Sequence, residues 1–136
     1  MSQFISGPNI SKLTTVHEDE RRAIREAVLT GHDGALRRMT VLSIKGVGVL
    51  GNHYHNSPEY FTVLDGDPTI LTAPKEQPSN VAVHRFPEGG HITMAPGQVH
   101  TFQFERPGTL MSTMDGAFDP TDMHPQKLEP PTQHQR

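Results

Sequence analysis

Two histidines, His53 and His55, followed four positions later by Glu59, limit how this chain can fold more than any other feature. Because alternate residues of an extended strand point to the same side, the two imidazoles can face one point. Pro58 cannot continue a central strand, and we expect the bend at this residue to turn the carboxylate of Glu59 back toward the pair. The segment therefore predicts a strand, a bend and a second strand that share one polar site.

A further histidine, His100, is the best candidate for a fourth ligand. It follows a turn at Pro96 and Gly97 and begins a β-rich run. Three neutral imidazoles and one carboxylate suit a borderline divalent metal ion that keeps open coordination positions. We predict one divalent ion, and nitrogen and oxygen donors leave Fe, Zn, Mn, Ni and Co open. Its predicted ligands are His53, His55, Glu59 and His100.

The two segments that carry these ligands resemble the two sequence motifs of the cupin superfamily. The positions that match in spacing are His53, His55, Glu59 and Gly66 in the first segment and Gly89, Gly97 and His100 in the second. The leading glycine of the first motif is displaced by one position, to Gly48, and Phe104 stands where the second motif has asparagine. The resemblance implies an all-β fold, the cupin double-stranded β-helix or jelly-roll barrel, and it implies metal binding by the four residues.

A closer resemblance is to the cupin domain of the bifunctional epimerase and reductase enzymes that make the sugar nucleotides of capsular polysaccharides. It is carried by the run from Gly51 to His55, by Glu59 and Phe61, and by Phe118, Asp119 and Pro120. More loosely, the chain is similar to nucleotide-sugar ketoisomerases of the same barrel type. These resemblances imply a metal-dependent reaction on a sugar nucleotide.

Glycine and proline divide the chain into short segments, with 12 of each among 136 residues. This spacing favours short strands joined by turns in one β-sandwich or jelly-roll domain. We predict an N-terminal arm at 1–15, the barrel at 16–118 and a Pro/Gln-rich C-terminal tail at 119–136. Residues 35–44 predict a strand. Residues 23–30 fit either a strand after a turn or an amphipathic helix, and we favour the strand.

Charge and composition exclude several classes of partner. The net charge is -3, and basic residues occur as pairs rather than as a stripe, so we expect no nucleic-acid partner. Cysteine is absent, which excludes disulfides and thiolate ligands. Neither a signal peptide nor a membrane-spanning apolar run is visible, so we expect a cytoplasmic protein without a membrane partner. The expected partners are a small-molecule substrate and, as in many cupins, a second copy of the chain in a homodimer.

Other residues are candidates for roles beside the metal. His84, His91 and Tyr60 are candidate proton-transfer residues if their side chains reach the cavity, since imidazole titrates near neutral pH. Phe102 and Phe104 share the face of His100 by strand alternation and are expected to form an apolar wall near the metal. Arg38 and Arg85 are candidate anchors for a carboxylate or a phosphate, with exposure on the outside of the barrel as the alternative.

Three functions fit these features. The first is a metal-dependent isomerase, epimerase or lyase for a small polar metabolite, either a sugar nucleotide or a natural-product intermediate. The second is an Fe(II)-dependent dioxygenase, because three histidines and a glutamate leave two adjacent open positions in an octahedron. The third is a metal or metabolite sensor without turnover, which a cavity filled by Phe102, Phe104 and methionines would favour. A wide polar cavity would favour an enzyme.

Overall fold

The computed structural model describes residues 12–116 and 119–129. Within them, the secondary structure is eleven β-strands and one short 3-10 helix, Pro120–Asp122, without an α-helix. The strands are β1 Thr14–Glu18, β2 Arg22–Thr30, β3 Leu36–Ile44, β4 Gly48–Tyr54, β5 Glu59–Asp65, β6 Thr69–Pro74, β7 Ala82–Arg85, β8 His91–Met94, β9 Gln98–Phe104, β10 Gly108–Asp115 and β11 His124–Pro125. A helix able to cross a membrane is therefore missing from this part of the chain.

The strands form two antiparallel sheets that face each other. The first sheet has the order β1-β2-β3-β10-β5-β8, and the second has the order β11-β4-β9-β6-β7. After the β1–β3 meander the chain changes sheet at every step except between β6 and β7, so strands distant in sequence pair: β3 with β10, and β4 with β9. This all-β jelly-roll arrangement confirms the fold class expected from the sequence.

The ambiguous segment 23–30 is a strand, and the helical alternative is wrong. It belongs to β2, which pairs with β1 on one side and with β3 along its full length on the other. Pairing on both edges satisfies the backbone groups that a helix would satisfy internally. The segment predicted as a strand at 35–44 corresponds to β3, Leu36–Ile44.

The two ends of the chain contribute more to the sheets than their polar composition indicates. Thr14 and Thr15, which we assigned to the arm, begin β1 and pair with β2. In the segment assigned to the tail, β11 pairs with β4. The rest of the arm, 1–11, and the end of the tail, 130–136, lie outside the described residues, as does Phe118.

The main core fills the space between the sheets. Alternate residues of β9 and β10 point inward, so Phe102, Phe104 and Leu110 are fully buried. They pack in one cluster with Ile44, Leu50, Phe61, Val63, Ile70, Phe86 and Met94. The core occupies one end of the interior, and the cavity described below lies beside it.

A second, smaller cluster covers the outer face of the β4-containing sheet. It consists of Leu71, Ala73, Val99 and Leu128, with Tyr54 and Val81 packed against it. Val99 alternates with the inward-facing His100, which shows that this cluster lies on the opposite side of the sheet from the core. Leu128 is only 4% exposed, so residues beyond the last long strand are held firmly against the barrel.

Candidate metal centre

The four predicted ligands come from both sheets and meet between them. His53 lies at the end of β4, His55 follows that strand, and His100 lies on β9 of the same sheet. Glu59 begins β5, which belongs to the facing sheet. One ligand atom from each side chain lies within 4.8 Å of the others. The bend at Pro58 therefore carries the chain across the interior, and Glu59 faces the histidines from the opposite wall.

An irregularity in β4 brings His53 to His100. The pairing of β4 with β9 shifts register between Gly51 and His53, and His53 then lies opposite His100. Gly51 and Asn52 have φ values of 109° and 57°, in the left-handed region that allows such a bulge. Asn52 is held there because its Oδ1 accepts from Thr101 Oγ1 at 2.8 Å. Simple strand alternation, which we used to pair His53 with His55, does not reveal this bulge.

The candidate ligand atoms converge on one point, and two of them lack a hydrogen-bond partner among the described residues. Glu59 Oε1 lies 3.2 Å from His55 Nε2 and 3.5 Å from His100 Nε2. The ring centroid of His53 is 4.8 Å from those of both other histidines. Among the described residues, Glu59 Oε1 and His100 Nε2 are buried without a hydrogen-bond partner. Because buried polar atoms are rarely left unpaired, this donor set fits a divalent cation at its centre.

The other polar atoms of these side chains are held by the protein. His55 Nδ1 contacts the carbonyl oxygen of Asp122, and His100 Nδ1 contacts the carbonyl oxygen of Gln98 at 3.1 Å. With Nδ1–H donating to a carbonyl, each ring presents its Nε2 lone pair to the centre. Ser112 Oγ donates to Glu59 Oε2, which leaves Oε1 directed at the histidines. These contacts orient the ligands as a metal site requires.

The pKa values of the cluster follow from burial and from mutual contacts. Burial, followed by repulsion from the other two histidines, lowers the pKa of His53 to about 4, and burial also lowers the pKa of His100. Burial acts on His55 in the same direction, but contacts with Glu59 and with the Asp122 carbonyl outweigh it and raise its pKa above the usual 6.5. Burial would raise the pKa of Glu59, but the close approach of His55 and the hydrogen bond from Ser112 outweigh it and lower that pKa.

The ligands form part of the wall of a cavity of about 360 Å³. Its other lining residues include the charged and polar Arg22, Glu26, Arg38, Thr40 and Ser112 and the apolar Val16, Ile24, Leu42, Leu50, Phe61, Phe102 and Met123. Arg38 is 9% exposed and donates to Met114 Sδ at 2.7 Å. Phe102 forms part of the apolar wall as expected, whereas Phe104 packs in the core behind it.

The three candidate proton-transfer residues lie elsewhere. Tyr60 follows Glu59 on β5 and so points out of the barrel, with 42% of its surface exposed. His91 lies on the same outer face, where its Nδ1 is 2.8 Å from Thr62 Oγ1. His84 is exposed on the edge strand β7 and contacts Thr72. Arg85, the second candidate anion anchor, is also exposed. None of these four residues lines the cavity. Tyr60 and His91 lie on the outer face, and His84 and Arg85 lie on the exposed edge strand β7.

The structure adds two residues that we did not predict, Ser112 and Asp122. Ser112 was recognisable in principle, since it is the polar member of an inward-facing row whose neighbours are Leu110 and Met114. Asp122 acts through its backbone carbonyl, for which the sequence carries no signal. Both residues contact predicted ligands, His55 and Glu59, rather than the centre itself.

Two facing antiparallel sheets around a buried cluster of three histidines and one glutamate define a cupin-type fold. This confirms the resemblance to cupins that the two motifs indicated. The particular fold is similar to that of the capsular polysaccharide assembling protein CapF from Staphylococcus aureus, with a TM-score of 0.71 and 18% identity over 88% of this chain and 33% of that one.

Other solved structures share the fold at lower identity. A mutant of oxalate decarboxylase OxdC from Bacillus subtilis gives a TM-score of 0.66 with 15% identity, over 88% of this chain and 33% of that one. Vicilin from Corylus avellana gives 0.64 with 11% identity, over 82% of this chain and 33% of that one. The chain thus spans about a third of the length of these structures. No protein-family model and no curated protein sequence matches it.

Proposed function

We propose that this chain binds one divalent metal ion through His53, His55, Glu59 and His100 and acts as a metal-dependent enzyme on a small polar metabolite. The observation that carries the proposal is the pair of buried atoms without a partner, Glu59 Oε1 and His100 Nε2, in the wall of an accessible cavity. The reaction we favour is an isomerisation, epimerisation or lyase step. Solved structures of similar fold are consistent with a metal: one concerns Mn(II) centres in Bacillus subtilis oxalate decarboxylase.

The cavity wall defines the substrate we expect. A bound divalent ion would supply Lewis acidity to a carbonyl or hydroxyl oxygen of the substrate. Arg38 lies on the same wall and can hold a carboxylate or phosphate group through its guanidinium. Phe61 and Phe102 pack against each other and form an apolar surface beside the predicted ligands. A volume of about 360 Å³ is the size of a small-metabolite site, sufficient for the reacting sugar of a sugar nucleotide or for a natural-product intermediate.

Glu26 replaces Tyr60, His84 and His91, which lie away from the cavity, as our candidate for proton transfer. Among the described residues, it is the carboxylate that lines the cavity without being a predicted ligand. It lies on β2 opposite Thr40, and both side chains point inward with Ser112 of the next strand. This polar row runs from Ser112, which contacts Glu59, toward β1. The Glu26 carboxylate can therefore reach a substrate that is bound next to the predicted metal ligands.

Two other functions remain open to experiment. A dioxygenase would use the same four ligands, so the ligand set does not separate it from an isomerase. A sensor without turnover is disfavoured by the cavity itself, which is open and carries Arg38, Thr40 and Glu26 rather than being filled by Phe104 and methionines. The homodimer and the cytoplasmic location both stay predictions. Sedimentation of the purified chain measures its oligomeric state.

Metal analysis of protein purified without added metal tests the proposal directly. We expect close to one divalent ion per chain, and turnover of a sugar nucleotide or a natural-product intermediate without consumption of oxygen. Oxygen uptake that depends on Fe(II) and substrate would instead identify the dioxygenase. Tropolones are informative probes, because a CapF structure was solved with the inhibitor 3-isopropenyl-tropolone. Absence of metal after anaerobic reconstitution with Mn, Fe, Co, Ni and Zn would contradict the proposal.

Metal affinity is expected to rise with pH up to the raised pKa of His55 and then to level off. Below that pKa the His55 imidazole carries a proton that the metal must displace, whereas the pKa of His53, lowered to about 4, leaves that ring neutral. One displaced proton corresponds to roughly a tenfold change in affinity per pH unit. Calorimetry at pH 6 in two buffers of different ionisation enthalpy measures the proton released. Equal apparent enthalpies in both buffers would contradict this assignment.

A further inference from the structure

We propose that residues 119–129, named here the C-terminal clamp, are part of the metal centre: they orient His55 and wall the cavity, so that their docking and metal binding reinforce each other. The inference rests on the proposed metal binding. Asp122 would be a positioning residue, acting on the metal through His55. The contacts that carry the inference run along the whole clamp, from the cavity to the outer face of the sheet.

The 3-10 helix of the clamp contacts His55 and the residue that follows it. The carbonyl oxygen of Asp122 contacts His55 Nδ1, and the carboxylate of the same residue accepts from the backbone N–H of Asn56 at 2.6 Å. The next residue, Met123, lines the cavity while 42% of it is exposed. One short turn therefore holds the ring of a ligand, fixes the backbone that follows it and forms part of the cavity mouth.

The middle of the clamp is bound along the edge of β4. β11 pairs with β4, and the His124 ring stacks on Tyr54 with centroids 4.8 Å apart and planes at 17°. Asn52 then holds the clamp at two points: its carbonyl accepts from Gln126 N at 2.8 Å and its Oδ1 accepts from Leu128 N at 3.1 Å. The strand that carries His53 is thus the strand to which the clamp is tied.

The far end of the clamp is anchored away from the metal. Leu128 is buried against Leu71, Ala73 and Val99 on the outer face of the sheet, whereas the ligands face inward. The clamp thus passes around the edge of β4 from one face of the sheet to the other. A change at Leu128 can therefore release the clamp without altering any ligand side chain.

Release of the clamp is expected to weaken metal binding because His55 loses the acceptor that fixes its ring. Loss of such an outer contact to a histidine ligand lowers metal affinity by about 10–100-fold. Coupling between two binding events is reciprocal, so bound metal must favour the docked clamp by the same factor. The amides of Gln126 and Leu128, which donate to Asn52, report docking directly.

Leu128→Asp tests this coupling, because a buried charge on the outer face opposes docking. We expect the dissociation constant for Co²⁺ to rise about 10–100-fold, with a changed visible spectrum of the bound Co²⁺. In the wild-type chain, we expect Co²⁺ to slow hydrogen exchange at Gln126 and Leu128. Leu64→Asp is the matched control, since it adds the same charge at a residue that is 49% exposed, and it should bind Co²⁺ as the wild type does.

The outcomes separate this inference from the proposed function. A wild-type chain that binds no metal overturns both. A wild-type chain that binds metal, together with a Leu128→Asp variant that exchanges fast at Gln126 yet keeps wild-type affinity, overturns the clamp alone. If Leu128→Asp does not fold, Leu128→Ala replaces it, and Ile44→Ala, another buried aliphatic residue of a different cluster, controls for lost stability. Equal weakening by both alanine variants would also overturn the clamp.

Discussion

A His53→Ala variant is expected to lose stoichiometric metal binding and the thermal stabilisation that metal gives the wild-type chain. The ring centroid of His53 lies 4.8 Å from those of His55 and His100. Loss of an outer contact to a ligand lowers metal affinity roughly 10–100-fold, and loss of one of the four ligands themselves should lower it further. At a metal concentration about 1,000 times the dissociation constant, binding stabilises the wild type by about 4 kcal/mol. That corresponds to a rise in Tm of roughly 10–15 °C, which scanning calorimetry measures.

His91→Ala is the matched control for this experiment. It removes the same side chain from the outer face of the other sheet, where it contacts Thr62 and is exposed. This variant should retain one metal ion per chain and the full rise in Tm. A His53→Ala variant that behaves like the control, in both metal content and Tm, would show that the cluster is not the binding site.

A Gly51→Ala variant is expected to lose roughly 2–5 kcal/mol of unfolding free energy, through backbone strain together with overpacking. Gly51 has a φ of 109°, and a Cβ there would lie 2.5 Å from the carbonyl oxygen of His100 and 3.1 Å from the Cα of Thr101. Both atoms belong to the backbone of β9 and cannot rotate away. The strands must therefore separate where His53 meets His100, so urea denaturation and metal affinity should change together.

Gly89→Ala separates the two causes of this loss. Gly89 also has a left-handed φ, 80°, but a Cβ there meets nothing within 4 Å. The substitution therefore introduces the backbone strain alone, about 1–2 kcal/mol, and it should leave metal affinity unchanged. Equal destabilisation by the two substitutions would mean that the close approach of β4 to β9 contributes little.

The sequence by itself determined the class of fold and predicted the four side chains that the structure brings together. Spacing placed His53, His55 and Glu59 around a bend, and the two cupin-like motifs added His100. The placement of the first three side chains could be predicted because it depends on local geometry: strand alternation, a proline that ends a strand, and glycines that permit turns. The strand at 23–30 could be identified for the same reason, although a helical pattern competed with it. His100 entered through the resemblance to the second motif.

Only the tertiary structure decided which side chains share the cavity. Tyr60, His84 and His91 are as suited to proton transfer as Glu26 is, yet strand alternation turns Tyr60 and His91 to the outer face, and His84 lies exposed on the edge strand β7, away from the cavity. Ser112 and the carbonyl of Asp122 contact ligands from 53 and 67 positions away in the chain. Contacts at such separations depend on how the sheets pair and face each other. No local pattern of residues encodes that pairing, and for this reason the clamp around β4 could be recognised only in the folded chain.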